Sequence, residues 1–168
     1  VLTDKDREYF DSVGMNMAEA VASSALSQLS DFLRRYYGRK VIILLDEYDT
    51  PMQEAYVDGY WDELVAFTRS LFNSTFKTNP YLERGIMTGI TRVSKESIFS
   101  DLNNLKVVTT TSDEYATAFG FTENEVSAAL EAYGYGDRKE DVKYWYDGFT
   151  FGNYTDIYNP WSILNFLD

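Results

Sequence analysis

The sequence contains no histidine and no cysteine, and these two absences exclude several kinds of site. Ser-His-Asp and Cys-His catalytic sites cannot be built from this chain alone, and neither can zinc sites of the usual Cys/His type. Disulfides are also impossible, which is compatible with a reducing compartment, so we expect a cytoplasmic protein. The chemistry that remains belongs to carboxylates, cations and hydroxyl groups.

Basic residues and long apolar runs are scarce as well. Fifteen Lys and Arg residues stand against 27 Asp and Glu residues, for a formal net charge of −12. Because nucleic-acid phosphates are bound by clustered Lys and Arg, we expect no direct nucleic-acid binding by this segment. The longest aliphatic run, Val41 to Leu45, is far shorter than the roughly 20 apolar residues that a membrane span needs, so we expect no span.

The apolar content is nevertheless sufficient for a folded core, since 45% of the 168 residues are hydrophobic and 17% are aromatic. The continuous, β-branched run Val41–Leu45 predicts a strand that is buried on both faces. The order of the elements is typical of an α/β layer structure with a parallel sheet. Hydrophobic periodicity predicts helices over 4–12, 15–37 and 60–77, and strands over 41–45, 84–90 and 105–110.

The character of the sequence changes after about residue 112. Thr122 and Glu125 form a capping-box pattern that opens a helix to about Tyr133. Residues 137–146 look helical, residues 147–158 look like a hairpin or an irregular loop, and Asn159-Pro160 caps a last helix. We therefore divide the chain into an α/β core over 1–112 and a small, mostly helical segment over 113–168.

The sharpest candidate site is the run VIILLDEYD, in which a buried strand ends in adjacent carboxylates. Four apolar residues followed by Asp-Glu is the Walker B form of P-loop ATPases. In that interpretation Asp46 holds Mg²⁺ through water, Glu47 orients or deprotonates the attacking water, and Asp49 is a further candidate metal ligand. A strand followed by a solvated acidic turn fits the same letters, and the pattern alone does not decide between the two.

The next predicted strand carries a second candidate. In P-loop ATPases of this class the strand beside the Walker B strand bears a polar residue that senses the γ-phosphate, and Thr88 fits that position. Arg92 follows shortly after it and is a candidate for contacting phosphate, with a structural ion pair, for example with Asp49, as the competing interpretation. No G-x-x-x-x-G-K-[ST] phosphate-binding loop exists in the sequence, so we expect the isolated segment to bind no ATP tightly.

Three blocks of the sequence resemble the bacterial AAA-ATPase-like family. They read VIILLDEYDTPMQEAY, NPYLERGIMTGITRVSKESIFSDLNNLKV and YDGFTFGNYTDIYNPWSILNFL, and the likeness extends from about Tyr36 onward. The resemblance implies a partial P-loop NTPase fold, the Walker B half of an AAA-like parallel sheet with flanking helices and a C-terminal lid. It also implies that the full-length protein uses ATP and Mg²⁺, with Asp46 as the magnesium-associated acid and Glu47 as the catalytic base.

The resemblance further implies partners within the same protein. An N-terminal P-loop segment precedes this region in the family, and a nuclease-like domain of the PD-(D/E)xK type often follows it. Because the missing strands would leave a sheet edge uncovered, we also expect self-association of the isolated piece.

Two other functions remain as alternatives. A non-catalytic protein-interaction module would use the same fold without turnover. A carbohydrate-active protein would suit the acidic, Tyr- and Trp-rich composition, but adjacent Asp46 and Glu47 diverge from one strand, and we expect the aromatic stretch near the C-terminus to form core. A nuclease triplet at Asp141-Val142-Lys143 is weaker still, because it falls in a predicted helix.

Overall fold

A computed structural model describes residues 2–90, 98–99, 102 and 105–168 of the chain. Its contacts separate into two units, Val1–Leu105 and Lys106–Asp168. The first unit contains α1 (Asp4–Ser12), α2 (Glu19–Tyr37), β1 (Val41–Leu45), α3 (Thr50–Asp58), α4 (Trp61–Phe72), a π-helical turn (Asn73–Lys77) and β2 (Leu82–Met87). The second contains β3 (Phe121–Thr122), α5 (Glu123–Ala132), a 3₁₀ turn (Gly136–Arg138), α6 (Lys139–Tyr146), β4 (Asp147–Phe151), β5 (Tyr154–Tyr158) and α7 (Pro160–Leu167).

The helix α2 begins four residues later than the periodicity predicts, because Ala18 is extended, with φ −64° and ψ 147°. Its end agrees with the prediction. Gly38 adopts the left-handed conformation at φ 68°, and its amide donates to the carbonyl of Arg34 at 2.8 Å. Such a conformation suits glycine, which has no Cβ to clash with the backbone.

Two strands of the first unit pair in parallel, β1 with β2. The described residues contain no further strand of this sheet, so the wider P-loop-type sheet stays a prediction. The strand expected over 105–110 is wrong: those residues form no ladder in the part of the chain that is described. Their β-branched side chains favour extended backbone, but a strand also needs a neighbour with which to pair.

The two faces of this small sheet differ, which corrects the expectation that β1 is buried on both. Val41, Ile43 and Leu45 are half-buried, whereas Ile42 is 61% exposed and Leu44 is 73% exposed. Leu44 is paired in register with Ile86 of β2, which is 47% exposed. Alternate strand residues point to opposite faces, so the apolar run places one aliphatic row in solvent among the described residues.

The core of the first unit lies between helices α3 and α4 and the inner side of the sheet. It is a cluster of buried apolar side chains from Met52, Val65, Phe72, Ile98, Phe99 and Leu102. The predicted helix over 60–77 is α-helical only to Phe72, where the π-helical turn takes over. A buried polar link then ties α2 to the start of β2, since the Asn79 side-chain amide donates to the Ser30 hydroxyl at 3.1 Å.

The second unit contains more sheet than predicted. Its three antiparallel strands, in the order β3-β5-β4, add a small sheet to the predicted helices. The predicted hairpin and both predicted caps are confirmed. Thr122 and Glu125 form a reciprocal capping box, and the Asn159 side chain accepts from the amides of Trp161 and Ser162. The core packs α5, α6 and α7 on the sheet through Val126, Leu130, Val142, Tyr158, Ile163 and Leu167.

Candidate functional site

The candidate site lies at the carboxyl ends of β1 and β2. Because the two strands are parallel, these ends meet at one edge of the sheet, where α/β folds bind ligands. The pairing continues past the strands themselves. The Thr88 amide donates to the carbonyl of Leu45 at 2.9 Å, and the Tyr48 amide donates to the carbonyl of Thr88 at 3.0 Å. Thr88 is thereby held opposite the acidic turn 46–49.

Three of the predicted residues converge at this edge. The Thr88 hydroxyl donates a hydrogen bond to the Asp46 carboxylate, in a short contact between Oγ1 and Oδ1. The Glu47 amide donates to the same Asp46 oxygen at 3.1 Å and lies 3.4 Å from the Thr88 hydroxyl. All three side chains are exposed. The arrangement orients one carboxylate from two directions while leaving it open to solvent.

Glu47 has an unusual backbone conformation, with φ at 50°. A left-handed conformation at a residue with a Cβ costs roughly 1–2 kcal/mol. Strain of this kind concentrates at functional sites, where the surrounding structure holds it in place. Here it turns the chain sharply between β1 and α3, and the Thr50 amide closes that turn by donating to the Glu47 carbonyl at 3.1 Å. The turn sends the Asp46 and Glu47 side chains out at the sheet edge.

Asp49 has a different environment from the other two acids. It is 1% exposed, and its carboxylate lies 3.4 Å from the side-chain amide of Gln53 on α3. A Cβ added at Gly89 would come within 2.5 Å of Asp49 Oδ1 and within 2.7 Å of the Tyr48 ring. The glycine after Thr88 therefore lets the end of β2 approach the acidic turn. Sequence reasoning overlooked Gly89, although its position directly after the candidate Thr88 was the available signal.

The remaining site predictions are less well placed. Arg92 lies outside the described residues, so its role stays a prediction, as does that of Asp49 as a metal ligand. Within the described ranges, no group of three or more Asp and Glu side chains is arranged to hold a metal ion. The oxygen donors at the sheet edge, from Asp46 and Thr88, are nevertheless of the type that Mg²⁺ prefers when most of its ligands are water. In chemical type, these two donors fit a magnesium ion that is held through water.

Two features of the second unit bear on the alternative functions. Asp141 pairs with Arg138 at 2.8 Å, whereas Lys143 pairs with Glu123 at 3.0 Å and with Asp156 at 3.4 Å. Asp141 and Lys143, the charged members of the candidate nuclease triplet, thus form ion pairs with different residues. These carboxylates, above all Glu123, raise the pKa of Lys143 by hydrogen bonding to its ammonium group.

The aromatic stretch near the C-terminus is only partly core. Tyr158 is fully buried, where burial and the nearby Asp147 carboxylate raise its pKa, and Tyr146 packs against the core cluster. In contrast, Tyr144, Trp145 and Trp161 are largely exposed, which corrects the expectation that the stretch forms the core. The periodicity of α6 and α7 explains the difference, since each short helix turns only one face inward.

None of the described helices is sufficiently long and apolar to cross a bilayer. No solved structure matches the chain. A similar protein is the "Uncharacterized protein in vnfD 5'region" of Azotobacter chroococcum mcd 1, which is 29% identical over 130 residues. That alignment covers 76% of this chain and 24% of the relative, so the chain spans about a quarter of the relative's length.

A family model described as "Predicted AAA-ATPase" matches residues 2–99. The matched region contains both parallel strands, the acidic turn and Thr88. Since the match covers more than half of the 168 residues, the chain belongs to the AAA-ATPase-like family.

Proposed function

We propose that the protein containing this chain binds and hydrolyses ATP with Mg²⁺, and that this chain supplies the acids and the sensor hydroxyl of the site. The observation that carries the proposal is the convergence of Asp46, Glu47 and Thr88 at the carboxyl ends of two adjacent parallel strands. Family membership supports the ATPase class. The geometry supports the assignment of these three residues to it.

Each residue has a distinct task in this proposal. Asp46 accepts hydrogen bonds from the Thr88 hydroxyl and the Glu47 amide, so its carboxylate is oriented to hold water molecules around a magnesium ion. Glu47 lies on the strained turn with its side chain in solvent, where it orients an attacking water and accepts its proton. Bound magnesium would neutralise charge on the phosphates as the terminal bond breaks. Thr88 holds Asp46 and lies where a sensor of the terminal phosphate is needed.

The phosphate cradle belongs to other residues in this proposal, because the 168 residues contain no G-x-x-x-x-G-K-[ST]. We assign it to a segment outside them, consistent with a relative that is about four times as long as the aligned region. A nuclease-like domain after this region stays a prediction on the same footing. The 168-residue chain by itself is expected to bind ATP weakly or not at all.

The test uses the longer natural protein and follows phosphate release from ATP with Mg²⁺. Glu47→Gln should abolish turnover while nucleotide binding persists, because the amide cannot accept a proton from water. Glu54→Gln is the matched control, since Glu54 is an exposed acid on the adjacent helix α3 outside the site. Unchanged turnover in the Glu47 variant, or equal loss in the Glu54 variant, would contradict the assignment.

A non-catalytic interaction module is the second candidate, and the exposed aliphatic row of Ile42, Leu44 and Ile86 favours it. Such a row is an uncommon feature on a sheet that needs no partner. The two functions differ in one measurement. If the longer protein is folded but binds no nucleotide by calorimetry, the interaction module replaces the ATPase.

A further inference from the structure

The second unit contains an apolar groove between α5 and α7 that the proposed ATPase chemistry does not use. It consists of two adjoining cavities of about 520 and 230 Å³. Tyr133, Leu164 and Leu167 line both cavities, so the two lie side by side. Tyr133 is 64% exposed and Leu164 is 55% exposed, which is high for side chains that lie beside a core cluster. Trp161 lies at one end and is 76% exposed.

The length of the groove follows from the helix positions that line it. On α5 the lining residues are Glu125, Ala129 and Tyr133, which are spaced at i, i+4 and i+8. At 1.5 Å per residue this wall is about 12 Å long, or roughly two helical turns. A groove of two turns accepts side chains spaced at i and i+4 on a docking helix, which lie on one face of that helix.

The charge around the groove has one sign. Among the described residues that line the cavities, the charged ones are Glu125 and Asp168, and both are acidic. Hydrogen bonds from the amide and hydroxyl of Thr122 lower the pKa of Glu125, so this carboxylate remains ionised at neutral pH. The α5 helix also ends at the groove, at Ala132, and a helix C-terminus carries partial negative charge.

The second unit as a whole is also negatively charged. Residues 106–168 contain eleven acidic and four basic side chains, for a net charge of −7. A negatively charged surface attracts cationic segments and repels acidic ones over roughly a Debye length of 8–10 Å. An occupant of this groove must therefore combine apolar anchors with positive charge.

We propose that the α5–α7 groove is a docking site for a basic amphipathic helix of a partner protein. The helix places two apolar side chains, spaced at i and i+4, in the two cavities. Its Lys or Arg residues lie beside Glu125, Asp168 and the end of α5. Trp161 covers one end of the docked helix as an aromatic contact, the kind of residue in which binding energy concentrates at interfaces. This assignment is independent of nucleotide hydrolysis.

The experiment titrates the 168-residue chain into a fluorescein-labelled helical peptide that carries Leu and Phe at i and i+4 and Lys elsewhere. Fluorescence anisotropy reports binding. Because a two-turn contact lies well below a standard interface of about 1,600 Å², we expect a dissociation constant on the order of 10–100 µM. A scrambled peptide of identical composition, without the apolar spacing, should bind at least tenfold more weakly. A peptide with Glu in place of Lys should also bind at least tenfold more weakly.

Two exposed tryptophans provide a matched pair of variants. Trp161→Ala should weaken binding of the Lys peptide at least tenfold, whereas Trp145→Ala should leave it unchanged, since Trp145 on α6 is 73% exposed and lies outside the groove. Leu164→Asp is a second groove variant on an exposed position. Circular dichroism of each variant establishes that the helices are retained.

Several results would overturn the proposal. Equal binding of the scrambled or acidic peptide would make the contact unspecific, and equal loss in the Trp145 variant would place it elsewhere. Sedimentation that shows dimers disrupted by Leu164→Asp would make a second copy of the chain the occupant. Absence of binding at millimolar peptide would remove the groove as a docking site altogether.

Discussion

Gly89→Ala should destabilise the first unit because the added methyl group has no room. A Cβ at this position would lie 2.5 Å from Asp49 Oδ1 and 2.7 and 2.9 Å from two ring carbons of Tyr48, whereas ordinary contacts begin at 3.4 Å. Neither neighbour gives way easily. Asp49 is buried, and the Tyr48 ring packs edge-on against Phe99 with centroids 5.3 Å apart. The methyl group therefore pushes on the acidic turn and the core together.

The expected magnitude follows from that crowding. Overpacking by one methyl group costs about 1–3 kcal/mol when the surroundings must shift. The matched control is Gly14→Ala, since a Cβ there meets nothing within 4 Å and its φ is not in the left-handed range. That change should be neutral, or stabilising by about 0.4–1 kcal/mol through the unfolded chain. With urea slopes of about 1–3 kcal/mol per molar, the two midpoints should differ by on the order of 1 M.

The assay must report on the first unit alone, because two units need not unfold together. The chain has three tryptophans, and replacing the exposed Trp145 and Trp161 with Phe leaves Trp61, which packs against the first core. Urea unfolding is then followed by Trp61 fluorescence in that background. If Gly89→Ala and Gly14→Ala unfold at the same midpoint with the same slope, the close approach of β2 to the acidic turn is refuted.

Three further predictions address the caps, the charges and the exposed sheet face. Thr122→Ala should cost the second unit about 0.5–2 kcal/mol in urea unfolding, because it removes the hydroxyl that accepts from the Glu125 amide and donates to the Glu125 carboxylate, and Thr122→Ser should restore most of it. The pKa of Asp6 is held well below its usual range, chiefly by the hydrogen bond from Arg35 at 2.9 Å, so Asp6→Asn should lower stability at neutral pH. That difference should shrink as the pH falls below about 4, where the unfolded carboxyl takes up its proton; a constant difference down to strong acid would contradict the linkage. Leu44→Lys should reduce self-association, measured by sedimentation velocity across a concentration series, whereas Tyr56→Lys at a similarly exposed position should not. Equal effects of the two variants would show that the exposed sheet face does not mediate the self-association.

Local signals in the sequence predicted local structure well. The Thr122–Glu125 box, the Asn159-Pro160 start and Gly38 each determine a helix end through bonds within a few residues, and all three ends agree with the structure. The strand over 105–110 failed for the opposite reason. The β-branched residues in this segment favour extended backbone, but strand pairing depends on distant residues that the local sequence does not identify.

In the candidate site too, features that depend on local sequence were predicted and features that depend on distant residues were not. The pattern of β1 and the Asp-Glu that follows it predicted where Asp46 and Glu47 lie, because strand ends carry their side chains to a sheet edge. The direct bond between Thr88 and Asp46 required knowledge that β1 and β2 are neighbours in parallel register. The strain at Glu47 and the crowding at Gly89 depend on backbone angles and close approach. The hydrophobic periodicity of the sequence predicts neither the strain at Glu47 nor the crowding at Gly89.

For the continuous run Val41–Leu45, the sequence pattern predicts burial on both faces, and the described structure shows one face exposed. Such runs are typical of strands covered on both faces, yet one face of β1 exposes Ile42 and Leu44. Full burial of a large aliphatic side chain contributes roughly 1.5–3 kcal/mol, so exposing Ile42 and Leu44 forgoes part of that amount for each, and we expect a covering surface in the longer protein. If the proposed function is correct, we expect that surface to come from the same segment of the longer protein that supplies the phosphate cradle. Deleting the cradle segment from the longer protein should then abolish ATP binding and expose Leu44 together, whereas loss of one without the other would separate the two roles.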